Sequence, residues 1–180
     1  MNTTFIIITA SYNRPELLRR NIESLIAQSY GNWLQVIVDD NSTSCMNDAF
    51  ELEKMDERIH LIKLSENHGC NYARNSALDY IRNLGLVGYI TLVDDDDYLF
   101  SDALKNINSF IDENKKWKWI TADCCFPNGV KASKVIKYGE VSYVDGYMYG
   151  NRIRGDLNHF FHTSVCEGLN FTSVFRNGQE

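Results

Sequence analysis

Residues 89–99 read YITLVDDDDYL, an apolar run from Tyr89 to Val93 that ends abruptly in Asp94, Asp95, Asp96 and Asp97. Neighbouring carboxylates repel, by about 1 kcal/mol per pair at about 4 Å in water and about 4 kcal/mol near a protein surface. Four of them at the end of a strand point to a held cation, and hard oxygen ligands select magnesium or manganese. Such ions complete their shell with water and substrate phosphate. A solvated acidic turn is the plain alternative, and the flanking sequence decides between the two.

Toward the amino terminus the strand-then-polar unit recurs. Phe5 to Ile8 is a continuous apolar run suited to a strand buried on both faces. Ser11 or Asn13 is placed to cap the next helix and Pro15 suits its first turn. Leu17, Leu18, Ile22, Leu25 and Ile26 then make an apolar stripe that reaches Gln28. Leu34 to Val38 is a second strand ending in Asp39-Asp40-Asn41-Ser42, with Ser42 or Ser44 as cap of a helix to Met55. Ile59 to Leu64 alternates as a strand and Asn67-His68-Gly69 makes a turn. Ala73, Ala77, Leu78 and Ile81 share one face of a helix over 71–84 that Gly85 ends. Gly88 to Val93 is the fourth strand, and 101–115 the next helix.

This alternation predicts an α/β fold, a mostly parallel, Rossmann-like sheet with helices on both faces. Ligands bind such sheets beyond the carboxyl ends of the strands. The clusters Ala10-Ser11-Tyr12-Asn13, Asp39 to Ser42, Asn67 to Gly69 and Asp94 to Asp97 all follow strands, so they should meet along one edge. After Trp117 the pattern loosens into a mixed lobe. Strands are expected over 117–121, in short pieces over 130–144, and over 158–166 and 169–175, with a turn at Pro127-Asn128-Gly129.

Composition narrows the function. The 180 residues fit one domain, 44% are hydrophobic, and the net charge of -6 argues against a nucleic-acid surface. Five irregularly spaced cysteines make neither a disulfide framework nor a zinc site, which fits a reducing compartment. The start, MNTTFIII, has no basic leader, and no apolar run approaches the roughly 20 residues of a membrane span. The first turn, TASYNRP, lacks the glycines that cradle phosphate in dinucleotide-binding and P-loop enzymes. A metal must then take over that task.

Five ordered elements resemble the family 2 glycosyltransferases of the GT-A fold. They are ITASYNRP, Ala27-Gln28-Ser29-Tyr30, VIVDDNS, the set Asn67, Gly69, Ala73, Arg74 and Asn75, and VDDDDYL. The resemblance covers residues 5–105 closely and 106–180 loosely. It implies a nucleotide-sugar-binding half, 1–105, and an acceptor-side half, 106–180, within one domain. It places Ala10, Tyr12, Arg14, Asp39, Asp40, Arg74, Asp94 and Asp95 around the donor. Tyr12 would pack on the base, unless it is a core residue at the helix entry. Asp40 would accept the base N3–H and Asp39 support the loop, with helix capping as the other use of either. Arg74 would reach the donor phosphate or pair with Asp94 or Asp96. Arg14 reaches the nucleotide or lies on the surface. Alternate residues of an extended chain share a side, so Asp94 and Asp96 are the natural metal pair for Mn2+ or Mg2+, with Asp96 as the direct ligand and ribose or a metal-bound water as the other use of Asp94.

The implied reaction moves a sugar, with inversion, from a nucleotide-diphospho-sugar (UDP in most relatives) to a hydroxyl of a saccharide or lipid-linked saccharide, in polysaccharide synthesis. Its setting would be the cytoplasm or the inner face of the cell membrane, through peripheral contact. Glu180, in the closing Arg176-Asn177-Gly178-Gln179-Glu180, is the candidate base, with Asp156 as the other. Relatives continue past such a motif, which implies a C-terminally truncated catalytic domain. A nucleotide-sugar-binding module and a sugar-phosphate nucleotidyltransferase are the competing functions. The latter favours a glycine-rich basic loop after the first strand, which TASYNRP is not.

Overall fold

A computed structural model describes residues 3–43, 51, 56–114, 116–135, 138–150 and 152–172. The chain divides into two compact units, one from the described residues of 1–118 and 160–180, the other Trp119–His159.

In the first unit, β1 (Phe5–Ser11), β2 (Trp33–Asp39), β3 (Ile59–Lys63) and β4 (Tyr89–Leu92) are parallel, in the order β3-β2-β1-β4. The carboxyl half of β8 (Leu157–His162) adds antiparallel to β4, with Thr91 opposite Phe160. The interleaved helices are α1 (Pro15–Ile26), α2 (Cys70–Asn83) and α3 (Ala103–Glu113). The helix expected between Ser42 and Met55 falls largely outside the described residues.

Side-chain alternation along the strands sorts the core. Ile6, Ile8, Val36, Val38 and Ile90 pack with Ala73, Ala77, Leu78 and Ile81 of α2, each large aliphatic contributing about 1.5–3 kcal/mol by leaving water. Gln35, at an intervening position, meets Asn21 of α1, whose buried residues Leu18, Asn21, Ile22 and Leu25 keep helical spacing. Gly85 ends α2 at φ 61°: its N–H donates to Arg82 O at 3.0 Å and that of Leu86 to Ile81 O at 3.1 Å, the left-handed glycine cap that only a residue without Cβ adopts freely.

Gly88 has a different reason for being glycine. A Cβ there would sit 2.2 Å from Thr4 O, the carbonyl that accepts the Tyr89 N–H at 2.9 Å. Gly88→Ala is expected to cost about 1–3 kcal/mol by prising the start of β4 from β1. Urea denaturation checks this, and an unchanged midpoint would refute it.

Several expectations need correction. Neither Ser11 nor Asn13 caps α1: Arg14 occupies the cap position and no side chain bonds there. Asn13 instead takes φ 55° and ties two loops together. The strand expected at Trp117 begins at Trp119, since the Trp117 N–H is used in a turn to Asn114 O. Of the β structure expected over 130–144, the described residues form only β6 (Ser133–Val135) and a bridge of Cys125 to Lys131. Tyr143–Met148 is a π-helical turn opened by the Ser142 hydroxyl. Residues 163–165 are a short 3-10 turn, and Leu169 to Thr172 form no strand, because side chains of α2 hold their backbone.

The second unit contains β5 (Trp119–Asp123), β6 paired antiparallel with β7 (Ile153–Gly155), and the amino half of β8. Trp119, Tyr143, Tyr147 and His159 form its aromatic cluster, Trp119 Nε1 donating to His159 Nδ1 at 3.0 Å. Burial lowers the pKa of His159, so its ring is the neutral acceptor that this bond requires.

Candidate functional site

Three polar loops converge on Ser11, the last residue of β1. In the parallel register Ser11 lies opposite Asp39 of β2. Its carbonyl accepts the Asp40 N–H at 2.9 Å, and its hydroxyl donates to Asp95 Oδ2 at 2.8 Å. The β1, β2 and β4 ends are thereby joined, as expected for the ligand edge of a parallel sheet.

Asp39 and Asp40 are both buried but differ in what they hold. Asp40 spends its two oxygens on backbone, accepting from His68 N at 2.9 Å and Gly69 N at 2.7 Å. It thus fixes the turn before α2, where Gly69 takes φ 85°. Asp39 accepts from Ser42 N through Oδ1 at 2.9 Å. Its Oδ2, wholly buried, has no hydrogen-bond donor among the described residues; Lys63 Nζ stands 3.8 Å away. A buried carboxylate oxygen in that state is costly, and the Lys63 ammonium offsets part of that cost.

The four aspartates also divide. Asp94 receives Arg74 at 2.7 Å, and Asp96 receives Arg14 at 3.4 Å; both side chains are about half exposed, 49% and 54%. Asp95 turns inward, 6% exposed, onto Ser11 and Arg14. Burial raises the pKa of Asp95, the adjacent Asp96 charge adding to the rise while the Ser11 hydroxyl and Arg14 oppose it. Asp94 and Asp96 present hard oxygens to solvent, which fits an ion that takes one or two carboxylates and keeps its other positions for water and phosphate. No group of three or more His, Cys, Asp or Glu side chains is assembled as a complete metal cage among the described residues.

A raised carboxylate pKa has a definite sign. The folded state binds that proton more tightly, so the stability it contributes is full below about pH 4 and is lost as pH rises through the raised value. Asp95→Asn is therefore expected to raise Tm at pH 7 and to flatten the fall of Tm from pH 4 upward. Thermal scans across that range test it, and a lower Tm at pH 7 would contradict it.

Tyr12 is exposed and Ala10 lies at the end of β1. Arg74 also lies over the Phe171 ring, 5.8 Å from its centre. Asn75 grips the Phe171 backbone with both ends of its amide, at 2.7 and 2.9 Å. Gln28 is structural, its amide joining Ser24 O and Phe100 O to Leu104 N. Glu180 lies outside the described residues, and Asp156 is an exposed residue of the second unit. Sequence reasoning placed Ser11 in a converging polar cluster but missed Asn21 and Gln35; the one available signal for these two was a polar residue at a core position of strand or helix periodicity.

The chain is 34% identical over 100 residues to the Escherichia coli UDP-Glc:alpha-D-GlcNAc-diphosphoundecaprenol beta-1,3-glucosyltransferase WfgD, covering 55% of this chain and 37% of that protein. It is 26% identical over 177 residues to the Campylobacter jejuni GalNAc(5)-diNAcBac-PP-undecaprenol beta-1,3-glucosyltransferase, covering 94% of this chain and 55% of the relative. The chain thus spans about half the length, or less, of these curated relatives. Among solved structures, S. aureus TarS 1-349 superposes with TM-score 0.78 at 21% identity, over 97% of this chain and 52% of TarS 1-349. Its complex with UDP-GlcNAc aligns at TM-score 0.56 and 28% identity, over 62% and 32% of the two chains. The likeness is to GT-A glycosyltransferases, which fits the mostly parallel sheet. The model named "Glycosyl transferase family 2" matches residues 6–174, so the chain belongs to glycosyl transferase family 2.

Proposed function

We propose that the protein transfers a sugar, with inversion, from a UDP-sugar to a hydroxyl of a saccharide or lipid-linked saccharide in polysaccharide synthesis. The observation that carries the reading is the convergence at Ser11 of a donor-less buried carboxylate oxygen, Asp39 Oδ2, with the half-exposed Asp94 and Asp96. Uracil offers one N–H, at N3, and Asp39 Oδ2 can only accept. Asp39 thus takes the base-recognition role and Asp40 the loop-supporting one, the reverse of the expectation from resemblance. Tyr12, exposed beside this loop, stacks on the base.

Asp94 and Asp96 would hold Mn2+ or Mg2+, and such an ion, when bound, offsets charge on the departing diphosphate. Arg74 and Arg14 add two guanidinium groups at the same turn for the phosphate oxygens. The base removes the proton of the acceptor hydroxyl as its oxygen attacks the anomeric carbon and the diphosphate leaves from the opposite face; Glu180 is proposed for this role. The TarS complex with UDP-GlcNAc and the undecaprenol-linked acceptors in the relatives' names support the substrate classes. Action at the cytoplasmic face of a membrane is consistent with such acceptors; no helix among the described residues is long and apolar enough to cross one.

Calorimetric titration with UDP-, GDP- and TDP-sugars, with and without manganese, tests the proposal. A UDP-sugar is expected to bind, and only with the ion. Equal binding of every nucleotide, or binding without metal, would overturn it. Binding with no transfer or hydrolysis would favour a nucleotide-sugar-binding module. Asp39→Asn sharpens the base assignment: the amide oxygen keeps Ser42 N–H while its NH2 faces the base. UDP is then expected to lose about 10- to 100-fold in affinity, and CDP, whose N3 is an acceptor, to gain relative to UDP. An unchanged ratio of UDP to CDP affinity would remove Asp39 from the role.

A further inference from the structure

Beneath the acidic turn lies a polar network where the core pattern calls for apolar side chains. Gln35 sits in mid-β2 and Asn21 in mid-α1, and both are 0% exposed. Gln35 Nε2 donates to Asn21 Oδ1 at 2.7 Å and to Thr9 Oγ1 at 2.9 Å. With its oxygen occupied, Asn21 can only turn its NH2 toward the turn, where it donates to Asp94 O and Asp97 O, both at 3.0 Å. Thr9 Oγ1 in turn donates to Val93 O at 2.9 Å, and on the outer side the Arg20 guanidinium donates to Asp96 O.

Side chains of β1 and α1 therefore hold the backbone carbonyls of Val93, Asp94, Asp96 and Asp97. Buried amides are unfavourable unless hydrogen-bonded, and an apolar pair would fill the same space at no such risk. The arrangement even leaves Gln35 Oε1 without a hydrogen-bond partner among the described residues. Four adjacent carboxylates repel and would splay the turn if its backbone were loose. Gripping the carbonyls from below fixes the backbone while the half-exposed Asp94 and Asp96 carboxylates, paired with Arg74 and Arg14, stay outside the network.

We infer that Gln35 and Asn21 are positioning residues: the buried amide pair sets the backbone of the acidic turn and so the aim of the Asp94 and Asp96 carboxylates at the ion and diphosphate. The inference rests on the donor-site reading above and adds a chain of control from mid-sheet to site.

The discriminating variant is the double substitution Gln35→Met with Asn21→Leu, which replaces the network by apolar side chains of similar size. Gln35→Met alone strands the buried Asn21 oxygen and is expected to lower Tm. The double variant strands no buried amide, although the Asp94 and Asp97 carbonyls of the turn lose the Asn21 donor, and it is expected to recover most of that Tm. Affinity for UDP in the presence of manganese should nevertheless stay about 10- to 100-fold below that of the parent. Amide hydrogen exchange over residues 94–97 should quicken while that of β1 and α2 does not. A double variant that binds UDP and manganese as the parent does would overturn the inference. Should the parent itself fail to bind UDP with manganese, the donor-site reading falls, and unchanged exchange at 94–97 would overturn the positioning role separately. Arg20→Met tests the same turn from the solvent side without touching the core. It should weaken UDP binding with Tm unchanged, and full retention of affinity would count against control through the turn's carbonyls.

Discussion

Asp96→Ala is expected to abolish manganese-dependent UDP binding and to lower any transfer or hydrolysis rate by about 10²–10³-fold or more, the scale on which removing one preorganised electrostatic group acts. The physical basis is the separation of this side chain from the fold. Asp96 is half exposed, and its carboxylate meets Arg14 at 3.4 Å, itself an exposed guanidinium. An ion pair of that kind contributes about 0–1 kcal/mol to stability. The variant should therefore keep its Tm while losing the ligand, which separates a ligand-holding role from a structural one. Asp94→Ala is expected to be less clean, because it also releases Arg74 from its 2.7 Å contact. Calorimetry with UDP and manganese, paired with thermal scans, checks both. Undiminished UDP binding by the Asp96 variant would remove the acidic turn from the donor site.

How much of this was legible beforehand follows from the range of each interaction. The parallel strands announced themselves because Phe5 to Ile8 is apolar on both faces and Leu34 to Val38 is apolar but for Gln35, a local signal. The α2 face and its glycine stop were equally local. The polar ends of β1, β2 and β4 were placed on one edge by topology alone. What the sequence hid is non-local. Gln35 and Asn21 are 14 residues apart and Ser11 and Asp95 are 84 apart, and no periodicity links them. Asn13 looked like a helix cap because of its type, yet its side chain accepts from Thr43 N across 30 residues. The π-helical turn at 143–148 went unforeseen because Tyr143 and Val144 are β-formers, while the Ser142 hydroxyl on Asp145 N selects a helical turn there. The division of labour between adjacent Asp39 and Asp40 is likewise invisible in the string VDDNS, since it depends on which oxygen meets the His68–Gly69 backbone.

That division supplies the second large effect. Asp40→Ala is expected to destabilise the protein by about 3–5 kcal/mol, because it strands two backbone N–H groups that a buried carboxylate now satisfies and hydrogen bonds to charged groups are each worth about 1.5–3 kcal/mol. The loss does not stay local. His68 and Gly69 are the last residues before α2, and Gly69 O accepts the Ala73 N–H at 3.2 Å, the first bond of that helix. Arg74, in the second turn of α2, takes its direction toward Asp94 from this start. Donor affinity should therefore fall with stability in the Asp40 variant. Asp39→Asn, one residue away, should leave Tm nearly unchanged and alter base preference alone. Asp40→Asn is expected to lie between, its oxygen retaining one backbone N–H while its NH2 confronts the other. Urea denaturation of the three variants beside UDP and CDP titrations makes the test. An Asp40→Ala protein as stable as its parent would mean that the turn before α2 is held by something other than that carboxylate.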